Sequence, residues 1–170
     1  METVLQAIKA TPWWVYVLFF YVLYIGIRAM KPRTMSVNRI FIIPLLFLFW
    51  SIWGLIARFQ GAMDLLIWGI FIVIGFTAGW GLFQRYKIRA DHKKLLIRFP
   101  GNYFILILML SIFAVKYFFG YMRATSPELS PMLHSLNFVV SGLSTGLFVG
   151  RTFAILKKFG KAKHEKLKKS

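Results

Sequence analysis

The stretch LLIWGIFIVIGFTAGWGLF at residues 65–83, followed by QRYKIRADHKKLLIR at residues 84–98, decides the fold. The first part carries no formal charge and has the length of roughly 20 residues that crosses a hydrocarbon core of about 30 Å. The second part carries six Lys or Arg residues. Since positive side chains near the ends of short loops stay on the cytoplasmic face, the pair predicts a membrane span that ends in the cytoplasm.

The same apolar pattern recurs along the chain and predicts an all-α integral membrane bundle of five transmembrane helices. We expect spans at residues 12–30, 40–57, 65–83, 102–121 and 132–150. A composition of 58% hydrophobic residues and a mean hydropathy of +0.64 exclude a soluble domain of this size. The predicted organisation is a five-span domain at residues 1–154 and a basic cytoplasmic tail at residues 155–170.

The positive charges define the expected topology. Of the 22 Lys and Arg residues, 18 lie in the segments 28–39, 85–98 and 151–169. The segments on the other side carry three, and Lys116 lies within the fourth span. This asymmetry predicts an N-terminus outside and a C-terminus in the cytoplasm. Basic residues at the ends of apolar runs do not form a separate face for nucleic acid, so no nucleic-acid partner is expected.

The tail is the most basic of these segments and suggests a lipid contact. We expect anionic headgroups at the cytoplasmic face to bind Lys157, Lys158, Lys161 and Lys163, at about 1 kcal/mol per basic residue near the surface. The alternative, that these lysines set the topology alone, stays open. Neither the tail nor the loop at residues 84–101 is long enough to bury a core by itself.

Apart from Arg28, which is counted with the basic segment 28–39, Lys116 is the only formal charge inside a predicted span. Such a residue is a functional candidate because it is costly to keep in a membrane. One alternative is that its long side chain reaches the outer headgroups; the other is that it is buried and partnered at the level of Asn137. The candidate intramembrane cluster is Lys116, His134, Asn137 and Ser141.

The fifth span carries a polar stripe that includes this cluster. His134, Asn137, Ser141 and Thr145 recur at helical spacing and share one face. Two interpretations stay open. The stripe forms hydrogen bonds between helices, or it lines a small cavity, open outward, that binds an anion or passes protons.

Glycines recur every four residues in two of the spans. They are Gly75 and Gly79 in the third span and Gly142, Gly146 and Gly150 in the fifth. Small residues at this period let helix backbones approach closely in lipid. These glycines are expected to pack either the third span against the fifth in one chain or two copies of the fifth span in a homodimer.

Other chemistry is not indicated by the sequence. The chain has no cysteine, so disulfides and thiolate metal sites are excluded. The predicted topology places His92 and His164 inside and His134 outside, so they are not expected to share a metal or a haem. No catalytic residues, cofactor or metal are expected, and an enzyme is the less favoured class.

Three stretches resemble a known group of proteins: Thr11-Pro12-Trp13-Trp14-Val15, the basic turn 28–39 with Pro44, and Lys116-Tyr117-Phe118-Phe119-Gly120 through Pro127. They are similar to an uncharacterised family of small bacterial inner-membrane proteins. The resemblance covers nearly the whole chain up to Arg151. It implies a multi-helix bundle in a bacterial inner membrane and brings no known activity.

The predicted function is therefore that of a structural or accessory membrane protein, which associates with itself or with a larger membrane complex through glycine-lined helix faces. The alternative is a small oligomeric transporter or channel that uses the outward-facing cluster around Lys116. The expected partners are the lipid bilayer with its anionic cytoplasmic lipids and a second copy or a membrane complex.

Overall fold

The computed structural model describes residues 12–126, 129–162 and 164–167. Within these residues the chain forms five α-helices, one 3-10 helix and three short strands. In chain order they are α1 (Trp13–Met30), β1 (Arg33–Ser36), the 3-10 helix Val37–Phe41, α2 (Ile42–Arg58), α3 (Ala62–Gln84), β2 (Arg89–Asp91), β3 (Leu96–Phe99), α4 (Tyr103–Thr125) and α5 (Ser130–Lys161).

Four helical segments are long and apolar enough to cross a membrane. They are Val37–Arg58, Ala62–Gln84, Tyr103–Arg123 and Pro131–Lys161. A shorter apolar helix, Val15–Met30, lies where the first span is predicted. The prediction of a mostly helical protein with membrane-length apolar helices is thus confirmed for four of the five spans.

The prediction of an all-α fold needs one correction, because the basic segments also form a small sheet. Strands β1, β3 and β2 form an antiparallel sheet in that order. Thr34 pairs with Arg98 in β3, and Ala90 of β2 pairs with Ile97. Each strand has only three or four residues, too few for an alternating pattern to show against the neighbouring charges.

Helix α5 and the residues after it complete this sheet. The helix runs to Lys161, so the predicted domain boundary at residue 154 falls inside it. Beyond it, His164 forms a parallel bridge with Ala90, and the Glu165 amide donates to the Ala90 carbonyl oxygen at 2.9 Å. We call the sheet, the 3-10 helix and the described residues from 155 to 167 the basic module.

The basic module has a small apolar core of its own. Its buried residues are Ile40, Ile97, Phe99 and Ile155. They come from the 3-10 helix, from β3 and from the end of α5. The loop and the tail, each too short for a core, therefore bury one jointly.

The chain divides into two compact units, which are Met1–Lys31 with Gly101–Ser130, and Pro32–Pro100 with Pro131–Ser170. In the first unit, α1 and α4 form an antiparallel pair. Phe19 contacts Phe113 with ring centroids 5.4 Å apart, and the Asn102 amide donates to the Ala29 carbonyl oxygen at 2.9 Å. The Asn102 side chain also caps α4, accepting from the Phe104 amide at 2.7 Å.

The second unit contains a three-helix bundle of α2, α3 and α5. Trp68 of α3 donates from its indole to the Ser51 hydroxyl of α2, and the Trp68 carbonyl oxygen lies against Gly142 of α5. Four residues earlier in α2, Phe47 contacts Phe148 with ring centroids 4.5 Å apart. The contacts move from Ser51 back to Phe47 in α2 and from Gly142 forward to Phe148 in α5, so α2 runs antiparallel to α5.

Candidate functional site

A buried acid and a histidine form a pair at one end of the three-helix bundle. His134 lies near the start of α5, and its Nε2 atom is 3.0 Å from Oδ1 and 3.1 Å from Oδ2 of Asp64, in the first turn of α3. Their side chains are only 12% and 8% exposed. The predicted topology places His134 on the outer side, but the sequence did not indicate Asp64 as its partner.

The position of Asp64 follows from its place in the helix. Its Oδ2 atom accepts a hydrogen bond from the Gln60 amide at 2.8 Å, and a carboxylate in a first turn is favoured by the helix dipole. The rings of His134 and Phe138 are nearly perpendicular, with centroids 4.9 Å apart. The pair is therefore held in one geometry by backbone and aromatic contacts. The sequence signal for this site was the acid at a helix start. Its partner could not be identified, because His134 lies 70 residues away in the sequence.

The other members of the predicted cluster fall in both units. Asn137 is buried and Ser141 is half-buried on α5, in the same unit as His134. Lys116 is half-buried on α4, in the first unit. Its contact with Asn137 remains a prediction.

Hydroxyl groups link the helices of the bundle. The Trp68 indole donates to the Ser51 hydroxyl at 2.6 Å, and the buried Thr145 hydroxyl donates to the Phe47 carbonyl oxygen at 3.4 Å. Ser144 donates to the Val140 carbonyl oxygen of its own helix at 2.7 Å. Hydrogen bonds of this kind stabilise helix pairs in membranes by on the order of 0.6 kcal/mol each.

The glycines lie where α3 and α5 approach most closely. A Cβ atom added to Gly75 would lie 2.3 Å from the Leu143 carbonyl oxygen, and one added to Gly79 would lie 2.2 Å from that of Leu147. The contacts move forward in both helices, from Gly75 to Gly79 in α3 and from Leu143 to Leu147 in α5, so the two helices run parallel.

The glycines of α5 make the reciprocal contacts. Added Cβ atoms would lie 2.5 Å from the Trp68 oxygen at Gly142, 2.1 Å from the Ile72 oxygen at Gly146 and 2.1 Å from the Phe76 oxygen at Gly150. The five glycines therefore lie at close backbone approaches between α3 and α5 of one chain. Pairing of two copies of the fifth span remains a prediction.

At the other end of the bundle, Asp91 joins the tail to the sheet. The residue is 1% exposed; Oδ1 accepts from the amides of Lys93 and Lys94, and Oδ2 accepts from the amide of Leu167, each at 3.0 Å. These amides, Leu167 foremost, hold the pKa of Asp91 below its ordinary value, although burial acts to raise it.

Further contacts hold the tail beside β2. Arg89 pairs with Glu165 at 3.0 Å on the exposed side. The His92 Nε2 atom lies 2.9 Å from the Ala162 carbonyl oxygen, and the His92 amide donates to Nδ1 of His164 at 3.3 Å. Among the described residues, no three His, Cys, Asp or Glu side chains are grouped so that they could hold a metal ion.

The lysines predicted to bind lipid have contacts within the chain as well. The Nζ atom of Lys157 lies 4.9 Å from the centroid of the Trp80 ring, and Lys158 donates to the Tyr86 carbonyl oxygen. Lys161 is exposed at the last residue of α5, and Lys163 lies outside the described residues. Contact of these lysines with headgroups remains a prediction.

The fold and these sites define a class of multi-helix protein with apolar helices of membrane-spanning length and a small basic module. The family of unknown function DUF6622 matches the chain over residues 2–165, and the chain belongs to it. The expected membership of an uncharacterised family is thereby confirmed. The chain is also similar to the uncharacterised protein YxjN of Bacillus subtilis (strain 168), with 28% identity over 75% of this chain and 83% of that protein. No solved structure matches the chain.

Proposed function

We propose that this protein is a structural or accessory protein of the bacterial inner membrane. In this proposal it crosses the bilayer five times, with its N-terminus outside and its basic module at the cytoplasmic surface. The observation that carries the proposal is the shared sheet. Strands from two of the basic segments and the tail from the third are hydrogen-bonded to one another, which supports placing all three on one side of the membrane.

The helix directions support the same topology. The basic module follows the carboxyl ends of α3 and α5 and precedes the amino end of α2. Since α3 and α5 run parallel, the chain must return across the membrane between them, and α4 is the apolar helix available to do so. The excess of positive charge then assigns the module to the cytoplasm.

The accessory role rests on how the bundle is built. The glycine faces join α3 to α5, while α2 and α3 present large apolar side chains outward, among them Trp53 and Ile70. The result is a rigid apolar body attached to a basic surface module. Such a body is suited to contact lipid and a neighbouring membrane protein or a second copy of itself.

The natural absence of cysteine allows a direct topology test. We expect Gln60→Cys, which is exposed before α3, to react with a membrane-impermeant maleimide in intact cells. Lys161→Cys, which is exposed at the end of α5, is expected to react only after the cells are permeabilised. The opposite pattern would refute the orientation.

The accessory role has a test of its own. Cross-linking in native membranes should capture the protein with a specific partner or as a dimer. If only the uncross-linked monomer is recovered over a range of cross-linker lengths, the accessory role is refuted while the topology stands.

A second function, that of a small transporter or channel, is favoured by one observation, the buried pair of Asp64 and His134. Ionisable residues inside membrane helices commonly line proton or ion pathways. Proteoliposomes holding the purified protein should then show proton or anion flux that Asp64→Asn abolishes and Ser51→Ala leaves intact. Flux equal to that of empty vesicles would exclude this function.

A further inference from the structure

Arg151 is a buried arginine whose surroundings do not neutralise it. It lies on α5 directly after Gly150 and is only 5% exposed. Its Nε atom has no hydrogen-bond acceptor within the described residues. The guanidinium carbon lies 5.2 Å from the centroid of the Phe83 ring. An arginine keeps its charge in proteins, so burial without an anionic partner is costly.

A second cation near Arg151 increases this cost. It is Arg33 of β1, whereas the phenol of Tyr86 favours the charged guanidinium. Lys158, two turns further along α5, donates to the backbone oxygen of the same Tyr86. Three cationic side chains from β1 and α5 are thereby gathered around the segment that follows α3.

The acidic side chains of the described residues are bound elsewhere. Asp64 pairs with His134, Asp91 accepts backbone amides, and Glu165 pairs with Arg89. None of them is an electrostatic neighbour of Arg151. A counter-ion for Arg151 would therefore have to come from outside the described part of the chain.

We propose that Arg151 and Arg33 form a binding site for a phosphate group. The planar guanidinium donates paired hydrogen bonds that match phosphate oxygens, and Nε is one of the two donors of such a pair. The position of this site at the membrane surface rests on the proposed function. In the proposed topology Arg151 lies at the cytoplasmic end of the fifth span, the depth at which phospholipid phosphates lie. Trp80 and Tyr86, residue types typical of that interface, lie at the end of α3 and just after it.

The ligand chemistry has two sources, an anionic phospholipid headgroup and free phosphate, and a binding experiment separates them. The full chain, purified in a mild detergent, is titrated with dioctanoyl phosphatidylglycerol, with dioctanoylglycerol, which lacks phosphate, and with inorganic phosphate against chloride at equal ionic strength. The readout is the unfolding temperature, which rises when a ligand binds the folded state. We expect phosphatidylglycerol to raise it and dioctanoylglycerol to leave it unchanged. An equal rise with inorganic phosphate would identify free phosphate as the ligand.

Variants assign the binding to the site. Arg151→Met, which keeps the length and removes the charge, is expected to weaken binding at least about tenfold. Arg33→Met, at a half-buried position, is expected to weaken it as well and serves if Arg151→Met does not fold. Lys93→Met is the control, because Lys93 is an exposed cation between β2 and β3 that lies outside the predicted headgroup contacts, and it should keep the wild-type response.

Two results would overturn the site. One is a wild-type protein that responds to neither phosphatidylglycerol nor phosphate. The other is an Arg151→Met or Arg33→Met protein that binds as the wild type does. Neither result bears on the maleimide labelling at residues 60 and 161, so a failure of this site is distinguishable from a failure of the proposed topology.

Discussion

The packing of α3 against α5 predicts opposite effects for two alanine substitutions in one helix. In Gly79→Ala the new Cβ atom would lie 2.2 Å from the Leu147 carbonyl oxygen, whereas ordinary contact begins at 3.4 Å. The two backbones must therefore separate by up to about 1.2 Å, which removes dispersion contacts along the interface. In Gly81→Ala, two residues further on, the Cβ atom meets nothing within 4 Å.

The magnitudes follow from two opposing terms. Overpacking a close contact costs typically about 1–3 kcal/mol, and alanine in place of glycine in a helix gains up to about 1 kcal/mol. Gly79→Ala is therefore expected to lower the free energy of unfolding by up to about 2 kcal/mol. Gly81→Ala has only the favourable term and should be neutral or stabilising.

Thermal unfolding in detergent checks this difference. At about 2–4 °C per kcal/mol for a chain of this size, the Gly79→Ala protein should melt several degrees below the Gly81→Ala protein. Expression and detergent binding are matched, since both variants add one methyl group to the same helix. Equal melting temperatures for the two variants would refute the close backbone contact.

Three further predictions concern the buried acids. Asp91→Asn should free the tail, because an amide cannot accept from all three backbone donors, including Leu167; each lost hydrogen bond to the charged group costs about 1.5–3 kcal/mol. Trypsin should then cleave the tail faster than in Glu165→Gln, which removes only an exposed ion pair, and equal rates would contradict this role. Since the pKa of Asp91 is lowered in the folded state, its contribution to stability is complete above about pH 4 and is lost as the pH falls further; the protection of the Leu167 amide from hydrogen exchange, relative to its intrinsic rate at each pH, should fall only in that acid range. Asp64→Ala should lower the unfolding temperature more than Asp64→Asn, which keeps an oxygen for His134, and the reverse order would exclude the pair as a stabilising contact.

The helices were predictable because the bilayer fixes their length. A span at residues 65–83 was expected, and α3 covers Ala62–Gln84. A span at residues 102–121 was expected, and α4 covers Tyr103–Thr125. Each apolar run must satisfy its own backbone hydrogen bonds in lipid, so composition alone indicates a helix there.

The sheet and the buried pairs could not be read from the sequence for a different physical reason. Ile97 is fully buried in the basic module, yet it lies between a buried Leu96 and an exposed Arg98, and the strand is only four residues long. Its partner strands and the tail come from distant parts of the chain. Likewise, the acid that binds His134 is set by the helix packing. Asp64 and His134 are 70 residues apart in the sequence, and this spacing does not indicate that they pair.

The parallel direction of α3 and α5 explains why the tail binds where it does. Gly79 lies against Leu147 within the bundle, and beyond the helix ends Ala90 pairs in parallel with His164. The bridge in the basic module thus continues, with the same polarity, the pairing that the glycines establish in the bundle. Because α5 is one continuous helix from the glycine contacts to Lys161, displacing it at Gly79 also displaces the start of the tail. We therefore expect a loosened glycine contact to weaken the tail contact, whereas release of the tail leaves the glycine contact in place.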